Sequence, residues 1–148
     1  MATRIISHPD QEKRVKHAMA AGMGNFGRAV ETDWKRDAVV AGGHRSTNPD
    51  GPVGGTFRRS ILSVAYLDGQ PLDRPSDDNG QAAPAYQGHA AECGVFIGSN
   101  CGYGLFVEAG TNKMAARPAL IPAIHKNQEQ GPKLVEAGMK AYLKGSAL

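Results

Sequence analysis

Long apolar runs are missing from this 148-residue sequence, and the large side chains that usually fill a core are scarce, with one Trp, four Tyr and four Phe. No stretch approaches the roughly 18 consecutive apolar residues that a membrane-spanning helix needs. Nor does the segment from Met1 to Pro9 contain an apolar core of signal-peptide length. The expectation is a protein made and kept in the cytoplasm, or packed into something assembled there, with no membrane partner. Cysteine is equally scarce. Cys93 and Cys101 are expected as free thiols in a reducing compartment, although the sequence leaves a bridge between them open. His89, Cys93 and Cys101 lack the close Cys-x-x-Cys pairs of a zinc site.

A dominant charge is also lacking: 17 basic residues face 14 acidic ones, a net charge of +3. The densest cluster, Glu12-Lys13-Arg14-Val15-Lys16-His17, reads as the solvated face of a helix rather than a phosphate-binding stripe. Catalytic groupings are missing too. Ser60, Ser63 and Ser99 stand outside any Gly-x-Ser-x-Gly elbow. The five histidines are scattered, and Gly102-Tyr103-Gly104 has no downstream Gly-Lys-Ser/Thr of a phosphate loop. Asp73, Asp77 and Asp78 share a loop but not the spacing of a calcium site, so they read as a solvated turn. The chain is therefore expected to be no enzyme and to need no cofactor or metal.

What the sequence has is glycine, 19 residues of it, and 41% apolar residues. That combination fits a light core, many turns and a domain that leans on neighbours. Residues 8 to about 38 predict a long helix, capped by Ser7 and opened by Pro9 and Asp10. Its apolar stripe runs Val15, Met19, Gly22, Phe26, Val30 and Trp34. Gly22, Gly24 and Gly27 each cost such a helix about 1 kcal/mol relative to alanine, but small residues let another element approach closely. Residues 41–56 read as a loop, and residues 56–67 as a strand ending at Asp68-Gly69. A second long loop covers 69–90. A strand follows over 92–98, then a shorter one over Leu105-Phe106-Val107-Glu108. Arg117-Pro118 opens a helix, Gly131-Pro132 interrupts it, and a last helix carries Leu134, Val135, Met139, Tyr142 and Leu143. The order specifies an α+β chain, read as one domain over 1–148: a long N-terminal helix, an antiparallel sheet with long loops, and a C-terminal helix or helix pair.

The segment from Tyr103 to Ala123 is the most informative. Its residue types suit a braced strand-to-helix corner, in which Glu108 and Lys113 could pair across the turn at Gly110. Thr111 could bond loop backbone there, with Arg117 and Pro118 at the helix entry. The same segment resembles the tail-component family founded on the tenth gene product of a lambdoid bacteriophage. Members carry an aromatic-rich strand, Glu-x-Gly-Thr, a lysine or similar residue, and Ala-x-Pro-x-Leu-x-Pro-Ala. Here these are Glu108-Ala109-Gly110-Thr111, Lys113-Met114 and Ala116-Arg117-Pro118-Ala119-Leu120-Ile121-Pro122-Ala123. A second family feature, Pro-Val-x-Thr-Gly before a basic, serine-tipped strand start, has its counterpart in Pro52 to Ile61. There Gly54-Gly55-Thr56 replaces the Thr-Gly order.

The resemblance, extending over about residues 8–143, implies a structural virion protein of a tailed bacteriophage. Such a protein would be one subunit of a ring, six-fold in expectation, at the head–tail junction, assembled in the host cytoplasm and acting in tail completion and head–tail joining. Its partners would be further copies of itself and neighbouring neck, tail-terminator and tail-tube proteins, with DNA passing through the channel unbound. Glu108, Gly110, Thr111, Lys113, Arg117 and Pro118 would then form a corner near an interface, and Arg58 and Arg59 would face a subunit or the channel. A tail terminator or head-closure protein of the same neck is the near alternative. A nucleic-acid-binding module, suggested by a pI near 9.0 and the Arg58-Arg59 pair, is the distant one.

Overall fold

A computed structural model describes residues 9–41, 56–73, 76–85, 93–113 and 115–145. The Ser7 cap, His89, residues 42–55 of the first long loop and parts of the second lie outside them. Helix α1 runs Pro9–Ala41, α2 Thr56–Ser60, β1 Ile61–Leu67, β2 Gln70–Pro71, β3 Cys93–Ser99, α3 Gly104–Ala109, α4 Leu120–Gln128 and α5 Gly131–Leu143. The fold is α+β, with one antiparallel sheet in the order β2-β1-β3. No helix among the described residues is long and apolar enough to cross a membrane.

Two segments depart from the strands expected for them. The first seven-residue strand starts at Ile61, because Thr56–Ser60 winds into α2, where the Ser60 hydroxyl donates to the Phe57 carbonyl. Leu105–Glu108 is helical within α3, despite the β-forming Phe106 and Val107. Tertiary partners decide both cases over local propensity.

At 33 residues, α1 is about 50 Å long and supplies the surface on which the other elements pack. Its expected stripe divides along its length. Gly22, Val30 and Trp34 are buried and Phe26 partly so, whereas Val15 and Met19 lie exposed. One core cluster joins Val30, Trp34, Ile61, Ala119 and Ala123, with Phe26, Phe57, Ile97 and Ile124 around it. The side of β1 that faces α1 carries Ser63 and Ala65. A Cβ added at Gly27 would lie 3.1 Å from the Ser63 Cβ, and one at Gly24 would lie 3.1 Å from the Ala65 Cβ. The opposite face carries Leu62, Val64 and Tyr66, packed with Phe96 and Ala83; the Tyr66 hydroxyl donates to the Pro84 carbonyl. All seven β1 residues are therefore buried.

β1 turns back on itself at Asp68-Gly69, where both residues adopt positive φ (51° and 78°), the backbone that a tight hairpin demands. β2 pairs with β1 only at Tyr66 and Leu67, so the rest of that edge needs other acceptors. Glu31 of α1, 5% exposed, accepts from the Ser63 N–H and hydroxyl at 2.8 and 2.7 Å. Asp73 accepts from the Ala65 N–H at 3.1 Å and pairs with Arg28. Lys35 then bridges Glu31 and Asp78 at 2.7 and 2.6 Å. Carboxylates thus finish an edge that a strand leaves open.

Asp77 plays the same part within residues 76–82. Its Oδ1 accepts from the Asn79 and Gln81 N–H groups, and Asn100 donates to its Oδ2. The three aspartates of this loop are partners of protein groups, and among the described residues no cluster of His, Cys, Asp or Glu is arranged to hold a metal. Cys93 and Cys101 are both free. Cys93 opens β3 and Cys101 follows its other end, some 20 Å apart at about 3.3 Å per residue, whereas a bridge requires Cα atoms within about 7 Å.

The crossing of α1 and α5 depends on absent side chains. A Cβ at Gly22 would fall 2.6 Å from the Val135 carbonyl oxygen, and one at Gly138 would fall 2.9 Å from that of Ala21. Asn25 donates to the Leu134 carbonyl at 2.7 Å beside the contact. Alanine favours a helix over glycine by about 1 kcal/mol, yet overpacking here costs more. Gly22→Ala and Gly138→Ala should each lower stability in urea denaturation by about 1–2 kcal/mol net; a gain in either would show that the helices do not need this approach.

Candidate functional site

The corner expected at residues 103–123 exists, with different partners from those expected. α3 begins after Cys101, where the Gly104 N–H bonds the Cys101 carbonyl. Gly104 itself is buried against the Phe57 ring, which meets Trp34 edge-on at 6.1 Å and Tyr103 at 6.2 Å. One helical turn later Glu108 points back towards α1 and α4. Its Oε1 accepts from the Trp34 indole N–H at 2.8 Å. Its Oε2 accepts from the Ala119 N–H at 2.9 Å, and the Leu120 N–H is shared between both oxygens at 3.3 and 3.2 Å.

This geometry explains the proline-rich helix entry. The first turn of a helix has N–H groups without intrahelical partners. In α4 the Leu120 N–H goes to Glu108, Pro122 has none to satisfy, and the Ala123 N–H closes the first regular bond onto Ala119. Ala119, at the cap position, has no side-chain acceptor, so a carboxylate from another helix supplies it. Its negative charge also suits the positive end of the α4 dipole.

The other expected residues fall around this carboxylate. Glu108 does not pair with Lys113: its oxygens are taken by one indole and two backbone N–H groups, and Lys113 is exposed. Gly110 ends α3 with φ 77°, a left-handed position where a side chain is strained, and its N–H bonds the Phe106 carbonyl. Thr111 accepts from the Lys113 N–H at 3.2 Å, a local loop bond of the expected kind. The Arg117 N–H donates to the Val107 carbonyl at 2.9 Å, tying the approach of α4 to α3, and Pro118 follows it exposed. Arg58 and Arg59 lie exposed on α2, while the Arg59 carbonyl accepts from the Asp78 N–H.

Sequence reasoning missed the second brace of α4. Asp33, one residue before Trp34, accepts from Lys126 and Asn127 at 3.0 and 2.8 Å and pairs with Arg36 at 2.7 Å. Burial works to raise this carboxyl, but the Asn127 and Lys126 hydrogen bonds and the nearby Arg36 and Lys126 charges outweigh it, holding the group below its ordinary value. The only available signal was an acidic residue beside the single tryptophan, which is too common to single out. Chemically, the site is a set of acceptors already filled by protein donors. It binds three helices together, with Glu108 engaged by three protein donors.

Glu108→Ala would strand the Trp34, Ala119 and Leu120 donors. It should cost about 2–3 kcal/mol and shift the emission of Trp34, the sole tryptophan; unchanged emission and stability would remove the carboxylate from this role. For Asp33 the sign follows from a depressed folded value. Its contribution is present above the ordinary carboxyl value of about 3.9 and is lost as pH falls through the lower folded value. Asp33→Asn should therefore lower stability at neutral pH by about 1–2 kcal/mol and flatten the acid limb below about pH 4, as read from urea midpoints across pH.

No family model, curated protein or solved structure matches this chain.

Proposed function

We propose that this chain is a non-enzymatic structural protein of a tailed bacteriophage, one subunit of a six-fold ring at the head–tail junction that completes the tail and joins it to the DNA-filled head. The observation that carries this reading is the meeting of both halves of the 103–123 motif at one carboxylate. Glu108 of Glu-Ala-Gly-Thr caps the helix entered through Arg-Pro-Ala-Leu-Ile-Pro-Ala. A motif whose most reactive side chain is spent on holding three helices in register supports an architectural use of those residues. The mechanism is surface complementarity: a ring subunit must present fixed contact faces at a fixed angle, and a corner tied to α1, α3 and α4 supplies such an angle. Arg58 and Arg59, exposed on α2, are available to a neighbouring subunit or to the channel wall, where DNA passes without being held.

Electron microscopy of lysates from a phage lacking the gene for this chain tests the reading. DNA-filled heads beside separate tails of normal length are expected. Tails of uncontrolled length would move the protein to tail termination, and heads emptied of DNA would make it a head-closure protein. Complete, infectious virions would overturn the proposal.

A further inference from the structure

The seven exposed large hydrophobic side chains among the described residues fall into two groups. Tyr103, Leu105, Phe106 and Ile121 belong to the segment that forms the Glu108 corner, with Leu105 72% and Ile121 55% exposed. Glu108 of α3 binds the N–H of Leu120, the residue before Ile121, so the first turn of α4 lies beside α3 and brings the four into one neighbourhood. The Tyr103 phenol, pushed up to about 12 by burial and by its hydrogen bond with Cys101, adds no charge to it. The second group is Val15, Met19 and Leu143. Val15 and Met19 are one turn apart on α1, and Arg14 donates to the Leu143 carbonyl at 3.0 Å, which fixes the end of α5 beside them. Trp34, which touches the first group's corner, follows Met19 by fifteen residues on the same helix. At 1.5 Å per residue the two patches are roughly 20 Å apart.

We infer that each patch is covered by the other patch of a second copy of this chain, in a head-to-tail contact between copies. The inference rests on the ring reading above and names the surfaces that such a ring uses. Area and number both argue for it. Fully exposed side chains of this size present about 160–220 Å² each, so the two groups offer roughly 400 and 250 Å². Joined, they cover roughly 650 Å² of apolar surface, about the apolar share of the ~1,200 Å² at which specific interfaces begin. A two-fold dimer through either patch leaves the other uncovered on both copies. A heterologous contact covers both, and repeats from copy to copy until a rotation closes it.

Two variants at exposed positions separate these geometries, L105Q/F106Q in the first patch and V15Q/M19Q in the second, each checked for an unchanged circular dichroism spectrum and melting temperature. By sedimentation velocity and native mass spectrometry the unaltered protein should form species larger than a dimer, and each double variant alone should be monomeric. An equimolar mixture of the two variants should give a one-to-one heterodimer, since it retains one intact first patch and one intact second patch. A monomeric unaltered protein at concentrations up to about 0.5 mM overturns the inference. So does a V15Q/M19Q variant that still dimerises, or a mixture that stays monomeric. Such failures leave the gene-deletion result untouched. Conversely, patch-dependent oligomers alongside intact virions in that lysate would remove the neck role and keep the contact.

Discussion

Everything in this structure depends on how closely other elements can approach one long helix. α1 touches β1, β3, α4 and α5 along its 33 residues, and it does so with very little side chain. Ala18, Ala20, Ala21, Gly22, Gly24 and Gly27 are buried along one stretch of it. The same glycines that weaken the helix as an isolated segment remove the bulk that would hold the sheet and α5 away. With few aromatic residues available, the core gains its contacts from proximity rather than from large rings, and dispersion favours that close fit.

A second theme is the use of carboxylates as surrogate backbone acceptors. Glu31 and Asp73 serve β1 where no strand reaches it, Asp77 serves its own turn, and Glu108 serves the first turn of α4. Each ends a piece of secondary structure that would otherwise leave buried N–H groups without partners, at a penalty of about 1–3 kcal/mol apiece. Two of these groups are also tethered by cations on α1, Arg28 to Asp73 and Lys35 to Glu31. The helix therefore fixes the sheet edge through charge as well as through packing. Short strands and short helices are sustainable in this chain because side chains finish what the ladders do not.

The parts of this architecture with a period were readable in the sequence. The three- and four-residue recurrence from Gly22 to Trp34 marked α1, and the Asp68-Gly69 turn marked the end of β1. Gly131-Pro132 marked the break between α4 and α5. Segments too short to display a period were not readable. Leu105-Phe106-Val107 carries strand-forming side chains, and only the demand that Glu108 reach Trp34 and the α4 entry makes it helical. Glu108 stood out as a corner residue, but lysine was the obvious partner by charge, whereas the actual partners are an indole and two backbone amides with no sequence signature. Glu31 and Asp33 were invisible for the same reason, since they lie in a helix among other charges and gain meaning only from what folds against them. The lower end of the stripe, Val15 and Met19, fitted the helical period yet lies outside the core, because periodicity reports a face and not what covers it.

The hydrogen bonds from α1 to the last two helices have a consequence for the order in which the chain can fold. Asn25 reaches Leu134 and Arg14 reaches Leu143, spans of 109 and 129 residues, and Asp33 reaches Lys126 across 93. A glycine-laden helix gains little from local contacts, so its stability waits for partners that the ribosome makes more than a hundred residues later. Loop-closure entropy must be spent before those contacts form. During synthesis α1 is consequently an unfinished surface, and the native state is reached only after residues 131–143 have emerged. Completion of this fold therefore comes late along the chain, with the segment that carries α5.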